Sequence, residues 1–361
     1  LSPEVRARVQ CAFREKVFRP VYRCLEETKP FWWFTATNNW NSVCLAGVTG
    51  AALALLPDKE ERAYFVAAAE KYNVYGMKGY ADDGYCSEGV GYNYGFRAYI
   101  LLREEVYRAT QGKMDFFQTP KFVRIARYGK KIQMNEGVCP AYSDCRIGLS
   151  PDRFILSYCD RALGVTSAEE QPVLPKGNNL SLYLLELFTS RVAKVGMTDG
   201  IRQVLQEESD ALRAYYEQAG ILIARPAGET SCRLAISAKG GTNAENHNHN
   251  DVGSYAVALG SETMVGDQGG PNSYPGDYFN GDAPQKYKIK GSFGHPVPVV
   301  DGRTQSSGGK AKGVVLQKEF TNEKDVFSID YTSAYSTPNL DKLIRTFVYD
   351  RQGEGNFTVG D

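Results

Sequence analysis

The run Asn246-His247-Asn248-His249-Asn250-Asp251 holds two of the chain's three histidines, and the third, His295, lies downstream. Residues two apart on an extended strand face the same side. His247 and His249 can therefore serve one site, unless a turn parts them. Between the run and the end of this window comes Asp267, in Val265-Gly266-Asp267-Gln268-Gly269-Gly270, and His295 sits in Ser292-Phe293-Gly294-His295-Pro296. Two imidazoles and a carboxylate are an ordinary zinc ligand set, completed by water or a fourth side chain. Every histidine of the chain lies between 247 and 295, so this window is where metal or acid–base chemistry is expected.

Other residue types allow more than one reading. The 23 tyrosines suit a surface that stacks sugars and hydrogen-bonds their hydroxyls, or rings that pack with wet hydroxyls. Phe31-Trp32-Trp33-Phe34 reads as a sugar platform or as buried packing. Glu88 can cap a loop or helix, and Asp82 and Asp83 can be turn residues. Ser306-Ser307-Gly308-Gly309 lacks the context of a phosphate loop and reads as a hairpin tip. None of the eight cysteines forms a CxxC pair, which argues against a zinc ribbon or a thioredoxin-like motif. Cys139 and Cys145 could bridge a short loop, and most of the cysteines read as small buried residues.

A chain of 361 residues exceeds one ordinary core and fits two domains. Its 42% hydrophobic and 23% charged residues are globular rather than disordered proportions. The formal net charge is zero, with no basic stripe, which disfavours a nucleic-acid partner. No apolar run reaches the roughly 18–20 residues of a membrane span. Beginning at Leu1 and ending at Asp361 in a strand-like stretch, the sequence reads as part of a longer protein.

Helical periodicity must position the first two-thirds. Ser2-Pro3 forms an N-cap pair ahead of Val5, Val9, Phe13, Val17 and Val21. Further helices are expected over 41–56, 59–72, 94–110, 117–133, 151–163, 178–195 and 198–218. Near Gly220 the pattern changes to short strands. These are expected at 221–225, 232–237, 297–300, 314–320, 326–331 and 343–349, with a hairpin of 253–259 and 262–265 about Gly260-Ser261. Helices followed by a run of strands predict an α+β chain. It divides into a helical domain over 1–220 and an antiparallel β-sheet domain over 221–361, cut short at its C-terminus.

With these motifs in place, the sequence resembles the heparinase II/III-like polysaccharide lyases. The resemblance covers nearly the whole chain. Its most specific parts are Asn246 through Ser254, Asp267-Gln268-Gly269 and Ser292 through His295. In the helical half it adds Thr37-Asn38-Asn39-Trp40-Asn41 and Asp83 through Gly95. It implies an incomplete α/α toroid followed by an antiparallel, β-sandwich-like domain. It implies a zinc, structural in role, bound by His249, Asp267 and His295. It places His247 in the active cleft, Tyr94 or Tyr92 as the catalytic phenol, and Tyr274 as a cleft tyrosine of the sheet domain.

The implied chemistry is β-elimination from a uronic acid in an acidic polysaccharide. A base removes the C5 proton, an acid protonates the oxygen leaving C4, and donors neutralise the sugar carboxylate. Asn39, Asn38, Asn41 and Asn246 are candidates for that neutralisation, with Arg97 and Glu88 as further cleft residues. Many relatives carry a histidine in the helical domain, whereas no histidine precedes His247 here. A bacterial periplasmic or secreted location follows from the resemblance. The rivals are a glycoside hydrolase using Asp83 and Glu88 as its two carboxylates, and a non-catalytic zinc-stabilised sugar-binding protein.

Overall fold

A computed structural model describes residues 2–165, 194–207, 211–228 and 230–361, without the Tyr92 side chain. The expected helix over 178–195 lies outside the described residues except for its last two positions. The chain forms two compact units. The first comprises Leu1–Tyr80, Asn93–Phe122 and Arg153–Thr198, and the second comprises Ala81–Tyr92, Val123–Asp152 and Asp199–Asp361.

The first unit is helical. Helix α1 (Pro3–Phe13) runs through a π turn (Arg14–Phe18) into α2 (Arg19–Glu26). Its apolar stripe is used only at the C-terminal end: Val21 is buried, whereas Val5 is 41% exposed. Helix α3 (Asn39–Leu55) starts where the Asn38 side chain accepts from Trp40 N, and α4 (Lys59–Met77) starts where Asp58 accepts from Glu61 N. With α5 (Tyr94–Ala109) these helices enclose Phe18, Phe34, Leu45, Phe65, Leu102 and Val106. The chain of helix α6 (Pro120–Lys131) passes from the first unit into the second at Val123, and α7 (Arg153–Leu163) belongs to the first.

The second unit is built on antiparallel sheets. Helix α8 (Asp199–Glu207) is followed by β1 (Arg213–Tyr216), so the single helix expected over 198–218 is corrected to a helix and a strand. Burial alternates along Arg213-Ala214-Tyr215-Tyr216, a period-2 pattern too short to stand out from the helical spacing before it. Strands β1, β2 (Ile221–Ala224), β3 (Leu234–Lys239), β5 (Tyr255–Leu259) and β6 (Glu262–Val265) form one sheet in that order. The β5–β6 hairpin turns at Gly260, whose φ of 60° suits glycine. A second sheet has the order β11-β10-β9-β8, from Asn356–Gly360, Ile344–Asp350, Lys324–Asp330 and Val314–Phe320. Leu222, Ile236 and Ala238 from the first sheet share a core with Phe327, Ile329, Phe347 and Tyr349 from the second, which is sandwich packing.

Two smaller expectations are corrected. Val297–Val300 contributes only a bridge from Val300 to Arg303. Ser306 through Gly309 is not a free hairpin tip, because Gly308 begins β7 (Gly308–Lys312), which pairs with β4 (Thr242–Asn243). Its Ser307 hydroxyl donates to the Asn250 side chain, so the segment buttresses the histidine run.

Candidate active site and metal centre

The histidine run is neither strand nor helix; amide side chains hold it in shape. Gln305 Oε1 accepts from Val252 N and Asn243 Nδ2, and Gln305 Nε2 donates to Val252 O. Asn250 Nδ2 donates to Gln305 O, while the Ser292 hydroxyl donates to Asn250 O. Beneath the run, Asp251 forms a buried ion pair with Lys239 at 2.6 Å. Burial disfavours the Lys239 charge, but Asp251 outweighs it and raises the ammonium pKa. His247 itself has φ of 54°, a left-handed conformation uncommon outside glycine. This turn separates the two neighbouring imidazoles into different roles.

Asp144 ties the two together. His247 Nδ1 lies 2.5 Å from Asp144 Oδ2, and His249 Nε2 lies 2.9 Å from Asp144 Oδ1, which also accepts from the Tyr278 hydroxyl at 2.8 Å. Burial favours the neutral acid, yet the bonds from His247, His249 and Tyr278 hold the Asp144 carboxyl well below its usual range. The loop carrying Asp144 is pinned at both sides. Its Ser143 hydroxyl donates to Ser87 O and its Cys145 sulfur accepts from Gly91 N, which fixes the segment bearing Glu88. On the other side Gly270 N donates to Cys145 O. A Cβ at Gly269 would lie 1.6 Å from that same oxygen, so only glycine permits this approach.

Glu88 completes the surroundings of His247. Its Oε1 is 3.4 Å from His247 Nε2, and its side chain is buried while the imidazole keeps an exposed edge. Burial opposes the imidazolium, but hydrogen bonds to Asp144 and Glu88 push the His247 pKa up to about 9. Tyr274 and Phe279 stand beside the ring, with centroids 6.5 and 5.3 Å away. Asn246 precedes it, half-buried.

Behind His247, three fully buried side chains form a group that could hold a metal ion. The available ligand atoms of His249, Asp267 and His295 lie within 4.8 Å of one another. His295 Nδ1 is 2.7 Å from Asp267 Oδ2, and Asp267 also accepts from the Ser254 hydroxyl and Gly269 N. Desolvation opposes the Asp267 charge, but His295 and the other donors pull its pKa down to about 2. Two buried nitrogens, His249 Nδ1 and His295 Nε2, have no hydrogen-bond partner. The arrangement fits a cation: Asp144 engages His249 Nε2 and Asp267 engages His295 Nδ1, which leaves each opposite ring nitrogen its lone pair.

Asn38, Asn39, Asn41, Tyr94 and Arg97 lie in the other unit. Asn39 begins α3 against the start of α5, where a Cβ at Gly95 would come within 2.6 Å of Asn39 Cβ. Tyr94, the residue before that glycine, is 44% exposed, and Arg97 is half-buried one turn on. Tyr92 lies in the 3-10 turn Val90–Asn93. Asn38 serves as the α3 cap. Asn41 is corrected from substrate contact to internal strut. It is fully buried, its amide donates to Phe34 O and approaches Trp33 O and Tyr72 O, and its carbonyl accepts from Gly76 N.

Asp144 and Tyr278 escaped the sequence reading. Asp144 lies in Ala141-Tyr142-Ser143-Asp144-Cys145, a loop-like stretch that carries no signal beyond Cys145. Cys139 and Cys145 form no bridge, and all eight cysteines of the chain are free.

Helical elements followed by antiparallel sheets, with this site on the sheet-bearing unit, define a heparinase-like fold. The chain is similar over 89% of its length to the heparan sulfate lyase HepC of Pedobacter heparinus, at 13% identity, with TM-scores of 0.57 for a mutant form and 0.55. It is likewise similar to the heparinase III BT4657 gene product with methylated lysines, with a TM-score of 0.56 and 11% identity over 89% of this chain. The chain spans 44% of each of those proteins. No family model and no curated protein sequence matches it. The expected order of helices followed by antiparallel sheets, and the heparinase-like fold that the resemblance implies, are thus borne out. Among the described residues, no helix is long and apolar enough to cross a membrane.

Proposed function

We propose that this protein is a polysaccharide lyase that cleaves a uronic-acid-containing polymer by β-elimination. The observation that carries the reading is the His247 imidazole, held at an exposed edge between Asp144 and Glu88 on a heparinase-like fold. An imidazole whose two nitrogens face carboxylates is held as a cation. It suits neutralising the sugar carboxylate as charge builds up on it after C5 deprotonation. For His247, carboxylate binding is therefore favoured over proton abstraction. Tyr94 or Tyr92 then supplies the phenol that takes the C5 proton and protonates the leaving oxygen, the two steps of a syn elimination. Asn39 and Asn246 are assigned as amide donors to the carboxylate, and Tyr274 as a sugar contact.

His249, Asp267 and His295 would hold zinc, which in a structural role contributes folding energy rather than a reaction step. A polymeric substrate suits a periplasmic or secreted enzyme. The hydrolase reading loses one of its carboxylates: Asp83 Oδ1 accepts from Tyr85 N and Oδ2 from Gln218 N, as a turn residue would.

The test is turnover on a panel of uronate polymers, followed by ultraviolet absorbance of the unsaturated product. Wild type is expected to generate it on at least one polymer. The true Tyr→Phe change should cost about 100-fold or more, and the neighbouring one much less. Saturated ends alone would overturn the lyase reading, and full activity in Tyr92→Phe, Tyr94→Phe and His247→Ala would overturn the residue assignment.

A further inference from the structure

Phe279 is an apolar side chain left at the surface beside the polar cluster of Asp144 and His247. It is 57% exposed. Its ring meets the His247 imidazole edge-on at 5.3 Å and lies 5.0 Å from the ring of Tyr274, itself 40% exposed. The patch is anchored from below. Tyr278, buried, sits 5.3 Å from Phe279 and 5.1 Å from Tyr274, and its hydroxyl donates to Asp144. Lys290 Nζ lies 5.1 Å from the Phe279 centroid and 4.4 Å from that of Tyr278, and it donates to Tyr278 O. The same carboxylate that orients His247 thus fixes the base of this aromatic patch.

Exposing a phenylalanine contributes nothing to folding, since its burial would be worth a few kcal/mol. The chemistry of the neighbourhood says what would cover it. A hexuronate ring has an apolar face of C–H bonds and a carboxylate at its edge. An aromatic face adjoining the hydrogen-bonding imidazole of His247 complements both features of one sugar. We infer that Phe279, with Tyr274, forms a sugar-stacking subsite that seats a uronate ring against His247. This rests on the proposed lyase reading for its ligand class. Phe279 bears no group able to move a proton, so it is a positioning and specificity residue.

The test compares wild type, Phe279→Ala, Phe279→Trp and Phe279→Leu, each with its metal content and melting temperature measured. Two readouts are taken with uronate oligosaccharides: equilibrium binding by calorimetry and formation of the unsaturated product. Phe279→Ala is expected to weaken binding about tenfold and to raise KM more than it lowers kcat, with metal retained. Phe279→Trp should restore binding, whereas Phe279→Leu, apolar but without a ring face, should not. Unchanged binding in Phe279→Ala, or full rescue by leucine, would overturn the subsite. If wild type binds uronates without making the double bond, the lyase reading fails while loss of binding in Phe279→Ala still supports stacking. If wild type neither binds nor cleaves, both readings fall.

Discussion

Two clusters of buried charge, one in each unit, use the same ingredients to different ends. In the helical unit Arg103 is fully buried and completely engaged. Its Nε and Nη2 donate to the two oxygens of Asp115 at 2.7 Å, and its Nη1 donates to the Tyr158 hydroxyl, which donates in turn to Glu104. Glu104 also receives Arg108. In the sheet-bearing unit the cluster around Asp144 is held as tightly but is left incomplete. His247 keeps an exposed edge, and His249 and His295 each keep a buried nitrogen without a partner. A closed network secures a fold, whereas a site for substrate or metal must hold back part of its bonding capacity. Burial and charge alone do not tell the two apart; the remaining valences do.

The sharpest way to break this comparison is to open the closed cluster. Arg103→Met keeps bulk but strands Asp115 and Glu104 in the core. Removing one member of a buried pair typically costs about 3–5 kcal/mol. Denaturant unfolding should show a loss of that size, with metal content unchanged in whatever protein folds. A loss under about 1 kcal/mol would mean the cluster is not the closed network described. The second test empties the open cluster instead. If the orphan nitrogens of His249 and His295 ligate zinc, chelation should lower stability by about 2–4 kcal/mol and lower the melting temperature more than it lowers the proposed lyase turnover of the protein that remains folded. Carefully prepared protein without stoichiometric metal would refute the assignment.

Asp144→Asn tests whether one carboxylate serves both halves of the open cluster. The side chain keeps its shape, but one oxygen becomes a donor facing an imidazole. Such changes behind a site usually cost about 10–100-fold. The expectation is a fall in turnover together with weaker metal retention, measured by activity and by competition with a chelator. A variant that lost one property and kept the other intact would separate the two roles assigned to Asp144.

The legibility of this molecule in its sequence followed the same division. The Asn246–Asp251 run, the Gly260 turn and the strands at 314–320 and 344–350 are encoded by neighbouring residues, and the sequence marks them. Asp144 was invisible because its partners lie more than 100 positions away, and nothing in a short polar loop signals a distant imidazole. Asn41 misled for the opposite reason. An Asn-rich motif suggests donors for a ligand, yet the burial that commits this amide to Phe34 and Gly76 arises only when α3 and α4 pack. The strand at 213–216 was absorbed into a helix because four residues carry too little periodicity to overrule what precedes them.

The smallest expected effect comes from the acid next door to the closed cluster. Glu105 follows Glu104 on α5, but its Oε2 is buried without a hydrogen-bond partner, and a Cβ at Gly50 would fall within 2.3 Å of its Oε1. Burial alone pushes its pKa up to about 8. Below the ordinary carboxylate range both folded and unfolded chains hold this proton, so it contributes no pH dependence. Between that range and pH 8 the unfolded chain releases the proton while the folded chain keeps it, so stability falls as pH rises across the window. Above pH 8 both states are charged and the penalty is complete. Glu105→Gln cannot ionise and should remove this slope. It should stabilise the protein near pH 8 and change little at pH 4. Thermal or urea unfolding of both proteins at pH 4, 6.5 and 8.5 reads this directly. Parallel stability profiles would mean Glu105 finds a partner in solution, and the helical cluster would then be more completely closed than its hydrogen bonds imply.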